Sequence, residues 1–217
     1  MTGLEKGKSL FEKQEFEKAI EALNDFLVAN VNNADALYTR AMCYRKVEAF
    51  EKSIEDLTTI LKRLPNEPTL LCDRGISHFH NKNIELALKD MDKAVELDPN
   101  NPYRYSSRAF IKAKINKVGA MEDYEKAIEL DPKDEISLNN LGLLQEEAGQ
   151  LKASKKTFKK SNELIGYDPE KREIKNSETK ENLNKGSLGR IMLSVFKSKK
   201  TRKEYFNYLK SFFQKDI

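Results

Sequence analysis

Tryptophan is absent from this chain, and cysteine and histidine occur only twice each. Cys43 and Cys72 cannot build a disulfide framework, which points to a reducing compartment. His78 and His80 stand two apart, so a helix turns them to different sides, and with two cysteines they make no zinc-ligand spacing. No metal site is expected. Long apolar runs are missing too: no stretch of about 18 apolar residues is available to span a bilayer, and the mean hydropathy is −0.70. The opening residues, Met1-Thr2-Gly3-Leu4-Glu5-Lys6, carry no apolar signal region. The expected setting is cytoplasmic. No glycine-rich phosphate loop, paired catalytic carboxylates or nucleophile–base signature occurs. The sequence thus offers no positive sign of an enzyme, and no cofactor is expected.

The chain is instead rich in charge, at 34% of its 217 residues, and in self-similarity. Arg40, Arg74 and Arg108 recur every 34 residues, each followed by a small residue, Ala41, Gly75 and Ala109. Gly7 and Gly142 continue that small column outward. A large apolar column lies three residues before each arginine, at Leu37, Leu71 and Tyr105, with Leu138 in the fifth copy. A second small column holds Ala19, Ser53, Ala87, Ala120 and Ser154, and a second large one holds Leu23, Leu57, Met91, Tyr124 and Phe158. Pro65, Pro99 and Pro132 punctuate the ends. Spacings of i, i+4 and i+7 within each half, with turn residues between, predict two helices per copy. Asn101 and Pro102 have the N-cap and first-turn chemistry of a helix start. The fourth copy is one residue short, and the deletion is expected in Ile115–Gly119, between the two helical patterns. Asp56, Asp90 and Asp123 follow the arginines by 16, 16 and 15 residues, so intra-repeat ion pairs are expected.

These columns, with the helix-end stretches Ala94–Pro99 and Ala127–Pro132, resemble the tetratricopeptide repeat family over residues 3–165. The resemblance implies an all-α, right-handed α-solenoid of five helix–turn–helix repeats, at about 1–33, 34–67, 68–101, 102–134 and 135–165. It also implies that the first helix of each pair lines a concave groove, and that the chain is a protein–protein interaction scaffold. The family's Trp column holds no Trp here, and Val31 and Gly166 replace the punctuating proline in the outer copies.

One residue round from the core column, each first helix carries a second stripe. A peptide-binding groove lined by Tyr38, Met42, Ile76, Phe79, Tyr103 and Phe110 is expected, continued by Asn139 and Leu143 and rimmed by Lys8, Arg45 and Lys46. The partner would be a protein or peptide with apolar anchors. Some relatives clamp the C-terminal carboxylate of chaperones with Lys and Asn side chains. The corresponding columns here hold Leu4, Lys8, Thr39, Thr69 and Asp73, or one copy later Tyr38, Met42, Asp73, Tyr103 and Ser107, so no such clamp is expected.

Beyond the repeats, residues 166–186 read as a polar linker or solvated helix. Residues 186–217 carry eight Lys/Arg against two Asp/Glu. Within 187–217, Leu188, Ile191, Met192, Val195 and Phe196 form an amphipathic helical stripe, followed by Phe206, Leu209 and Phe213. This C-terminal helical extension could cap the array, self-associate, occupy the groove or touch an anionic membrane surface. Oligomerisation or membrane adaptation through the tail is the alternative function. An RNA-binding helical repeat is a further one, although nucleic acid is the weaker partner because the tail lacks an interleaved fold.

Overall fold

The computed structural model describes residues 2–167. The expectations for 168–217, including the amphipathic segment 187–217 and its apolar residues, lie outside the described residues. Ten helices and no strand occur among the described residues. In chain order they are α1 (Gly3–Glu12), α2 (Phe16–Ala29), α3 (Ala34–Lys46), α4 (Phe50–Leu61) and α5 (Pro68–His80), then α6 (Ile84–Leu97), α7 (Pro102–Lys112), α8 (Lys117–Leu130), α9 (Glu135–Glu147) and α10 (Leu151–Leu164). They stack as five antiparallel pairs, α1 with α2 through α9 with α10, each pair packed on the next. The fold is an all-α solenoid of helical repeats.

Local chemistry sets the boundaries. The side chains of Asn33, Asn83, Asn101, Asn116 and Asp134 accept hydrogen bonds from the free backbone N–H groups that open α3, α6, α7, α8 and α9. Pro68 and Pro102 occupy first-turn positions, where a missing N–H costs nothing. The turn inside four of the pairs is closed by one left-handed residue: Gln14, Glu48, Lys82 and Gly149, at φ between 59° and 74°. At each of these turns the next residue's N–H reaches back five residues, as from Asn83 to the His78 carbonyl.

The fourth pair has no such residue. Its turn, Ala113–Asn116, keeps φ negative throughout and follows an α7 of 11 residues, where α3 and α5 have 13. The missing residue was expected within Ile115–Gly119, but α8 begins at Lys117. The change falls at the end of α7 and in the turn. Shortening there keeps α8 in phase, so Ala120 takes the fourth position of its helix as Ala87 does in α6.

The two helices of a pair meet through the small columns. A Cβ on Gly75 would lie 3.1 Å from the Ala87 carbonyl oxygen, a backbone atom that cannot yield easily. Ala19, Ala41, Ala87, Ala109 and Ala120 are fully buried at equivalent places. Leu23, Leu57 and Met91 from the second helices are fully buried in the core, Leu23 against Gly7 and Met91 against Gly75 of their own pairs. Burying a side chain of that size contributes about 1.5–3 kcal/mol.

The arginine column holds the pairs in register. Arg40 donates through Nε and Nη2 to both oxygens of buried Asp56, at 2.8 and 2.7 Å, and through Nη1 to Asn24 Oδ1 at 2.7 Å. Arg74 grips Asp90 in the same two-pronged way at 2.7 Å and reaches Thr58 at 3.2 Å. Arg108 grips Asp123 at 2.8 and 2.6 Å and meets Asp92 at 2.9 Å. Each arginine therefore ties its first helix to two second helices, its own repeat's and the preceding repeat's. In the fifth repeat Leu141 stands in the arginine column, and Thr157 in the aspartate column donates to Gln145 Oε1 at 2.8 Å.

The last described helix, α10, breaks one further column. Its fifth and twelfth residues are Lys155 and Asn162. The equivalent positions hold Ile20 and Leu27 in α2, Ile54 and Leu61 in α4, Leu88 and Val95 in α6, and Met121 and Ile128 in α8. All of those apolar side chains are buried or half-buried.

Candidate functional site

Successive first helices approach one another, α1 against α3 and α5 against α7, whereas consecutive second helices make no comparable contact. The row whose members crowd together is the inner wall of a curved stack. The expected groove residues all lie on this row, but they differ in what they offer.

Toward the N-terminal end the wall is polar and internally paired. Lys8 is exposed and meets Asp35 at 2.7 Å. Asp73 of α5 is buried, and both of its oxygens are taken by α3. The Tyr38 hydroxyl donates to one at 2.9 Å and Arg45 Nη1 to the other at 2.9 Å. Burial first, and then the Asp73 carboxylate, push the Tyr38 hydroxyl up to about 12, so it stays a donor. Met42, expected on the groove wall, is only 7% exposed and belongs to the core. On a first helix flanked on both sides, the second stripe is itself covered by the neighbouring helices. Lys46 is exposed at the end of α3.

Further along, the wall becomes apolar and open. Ile76 and Phe79 are half-buried against the core, and the Phe79 ring meets Phe110 edge-on, centroids 5.4 Å apart. Phe110 is 48% exposed, Tyr103 53% and Leu143 46%, with Asn139 exposed between them. Ile136, at 67%, is the most exposed of this set and was not anticipated. Its signal was present, since it stands 33 residues after Tyr103, as Leu143 does after Phe110.

Beneath Tyr103 lies a second unanticipated residue. Arg104 is buried, donating to Asp98 at 3.2 Å and to Thr69 at 3.0 Å, with its guanidinium 5.8 Å from the Tyr103 ring centre. The equivalent positions hold Ala36, Leu70 and Ser137. The wall thus has a small aromatic and aliphatic platform, Phe79, Tyr103, Phe110, Ile136 and Leu143, with a buried cation under one edge.

Other chemistry is sparse. Cys43 and Cys72 are buried free thiols, and burial pushes Cys43 up to about 11. Burial also lowers the pKa of His78. Among the described residues no group of three His, Cys, Asp or Glu side chains could hold a metal ion, and no helix is long and apolar enough to cross a membrane.

Family models described as tetratricopeptide repeat match residues 4–68, 68–101 and 123–156. No curated protein matches the chain by sequence. Among solved structures the chain is similar to MamA, with 23% identity over 74% of this chain and 94% of that one and a TM-score of 0.67. It is also similar to MamA from Desulfovibrio magneticus RS-1, with 19% identity over 73% and 90% and a TM-score of 0.67. A third similar structure is YrrB, described as a TPR protein with an unusual peptide-binding site, with 18% identity over 75% and 84% and a TM-score of 0.60. At these identities the likeness is one of fold.

Proposed function

The chain belongs to the tetratricopeptide repeat family, and from that premise we propose that it is a non-catalytic scaffold that seats an apolar segment of a partner protein on the inner wall of repeats three to five. The observation that carries this reading is the platform of Phe79, Tyr103, Phe110, Ile136 and Leu143. Four of these side chains are large, apolar and open to solvent in two columns that step with the repeat. Neighbouring solvent-exposed aromatics of this kind favour aromatic or branched aliphatic anchors. Peptide binding by YrrB, a similar solenoid, is consistent with it. The polar stretch around Asp73 contributes register rather than affinity, because its charges are already paired. A chaperone-type carboxylate clamp does not fit this wall, since Asp73 occupies one of the clamp columns.

The test is selection of displayed peptides on the full chain, followed by calorimetry. Selected peptides should carry two or three apolar anchors. Phe110→Glu should weaken their binding by about 2 kcal/mol or more. Lys62→Glu, at the end of α4 in the second repeat, should leave it unchanged. Peptides that bind Phe110→Glu as tightly as the native chain would remove the platform from consideration.

A further inference from the structure

We infer that the outer face of α10 is a docking surface for an anionic lipid membrane, separate from the inner wall. Lys152, Lys155, Lys156, Lys159 and Lys160 are all exposed and fall within roughly 140° of the helix circumference, at 100° per residue. The opposite face is fixed to α9. Thr157 donates to Gln145, Ser161 to the Glu135 carbonyl, and Phe158 lies against Gly142. The lysines cannot turn away without undoing that packing, so the charge is presented in one direction.

The clustering is particular to this helix. At four of the five equivalent positions, α8 carries Val118, Met121, Glu122 and Glu125, and only Lys126 matches. Residues 1–150 hold 21 Lys/Arg against 27 Asp/Glu, whereas α10 holds five Lys against one Glu. Among the described residues, only Lys159 has a carboxylate nearby, Glu163 at 3.9 Å. Elsewhere lysines such as Lys117 and Lys126 are drawn into pairs below 3 Å. Five like charges on four turns of helix repel one another, and an anionic surface relieves that repulsion.

The surroundings favour lipid over a nucleic acid strand. Among the described residues the lysine face has no arginine to fork onto a phosphate, and Tyr167 beside it is a single ring, not a row on which successive bases could stack. Leu164 ends α10, and it lies exposed with Ile165 and Tyr167 just beyond it. Ammonium groups beside an aromatic and aliphatic fringe suit the boundary between headgroups and acyl chains.

The experiment is vesicle co-sedimentation of the full chain with phosphatidylcholine alone and with phosphatidylcholine containing phosphatidylserine. The expected result is binding only to the anionic vesicles, weakened by raised salt. The combined variant Lys155→Glu, Lys156→Glu, Lys159→Glu and Lys160→Glu should weaken binding at least about a hundredfold while the melting temperature holds. A control reversing Lys13, Lys62, Lys89 and Lys133 should keep most of the binding. Phe110→Glu should keep all of it, which separates this surface from the groove. The inference falls if the native chain ignores phosphatidylserine, if the α10 variant binds as the native chain does, or if the control loses as much. Tighter binding to single-stranded RNA than to vesicles, lost in the same α10 variant, would also overturn it.

Discussion

Helices α1–α6 and α7–α10 share one backbone plan but place their apolar side chains differently. In the first three repeats a single core runs through Leu23, Leu37, Leu57, Ile60, Leu70 and Met91, with Ile111 reaching in from α7. Their inner wall is closed by hydrogen bonds around Asp73. In the last two repeats the core thins to Ala109, Ala120, Tyr124, Leu141 and Leu144, while Tyr103, Phe110, Ile136 and Leu143 stand open to solvent on the inner wall. The boundary is where Arg104 replaces a core side chain. A repeat that leaves aromatics open to solvent has fewer left to bury. The comparison therefore teaches that an apolar side chain serves either the core or the open wall, and that this chain divides the two along its length.

The division can be tested by breaking each half. The largest effect is expected from Arg74→Met, which leaves Asp90 buried without its partner. That should cost ~3 kcal/mol by chemical denaturation, and Arg74→Met with Asp90→Leu should recover most of the loss. A loss under about 0.5 kcal/mol would mean the two-pronged grip adds nothing to a stack already held by its core. A smaller effect of opposite sign is expected at the boundary. Arg104→Leu should join the two cores and raise stability by ~1 kcal/mol, slowing amide exchange in α7 and α8. If exchange there quickens instead, the buried cation is holding the two halves together. The smallest effects concern the turns. Glu48→Gly and Lys82→Gly should each raise stability by up to ~1 kcal/mol, because a side chain at positive φ is strained there. Gly149→Ala should lower it by a similar amount, and melting temperatures would show all three.

Most of the fold was legible because it repeats. Arg40, Arg74 and Arg108 and their aspartates announced both the period and the pairing, and Asn101-Pro102 marked a helix start. The site was less legible, because a stripe on a helix shows which side chains share a face but not what covers that face. Met42 and Phe110 hold equivalent positions in their helices. One is buried among thick neighbours in the second repeat, and the other stands open in the fourth, where the core is thin. Ile136 could have been found by stepping 33 residues from Tyr103. Arg104 could not, since a lone arginine off its own column looks like surface until Thr69 and Asp98 close around it. The missing residue of the fourth repeat was visible as a count. Its place was not, because helix and turn can share a deletion.

The arginine clasps have a mechanical corollary. They bridge the joints between repeats one and two, two and three, and three and four, while the joint between repeats four and five has Leu141 in that place. Treated as a spring, the described array has three clasped coils and one that lacks the clasp, held by its packing and by Lys117 against Glu147 at 2.8 Å. The unclasped one joins the repeat of Phe110 to the repeat of Leu143. In a spring a change of pitch gathers at the coil with the fewest cross-ties, so a change in the spacing of those two side chains would be taken up in the last turn while the clasped coils keep their own.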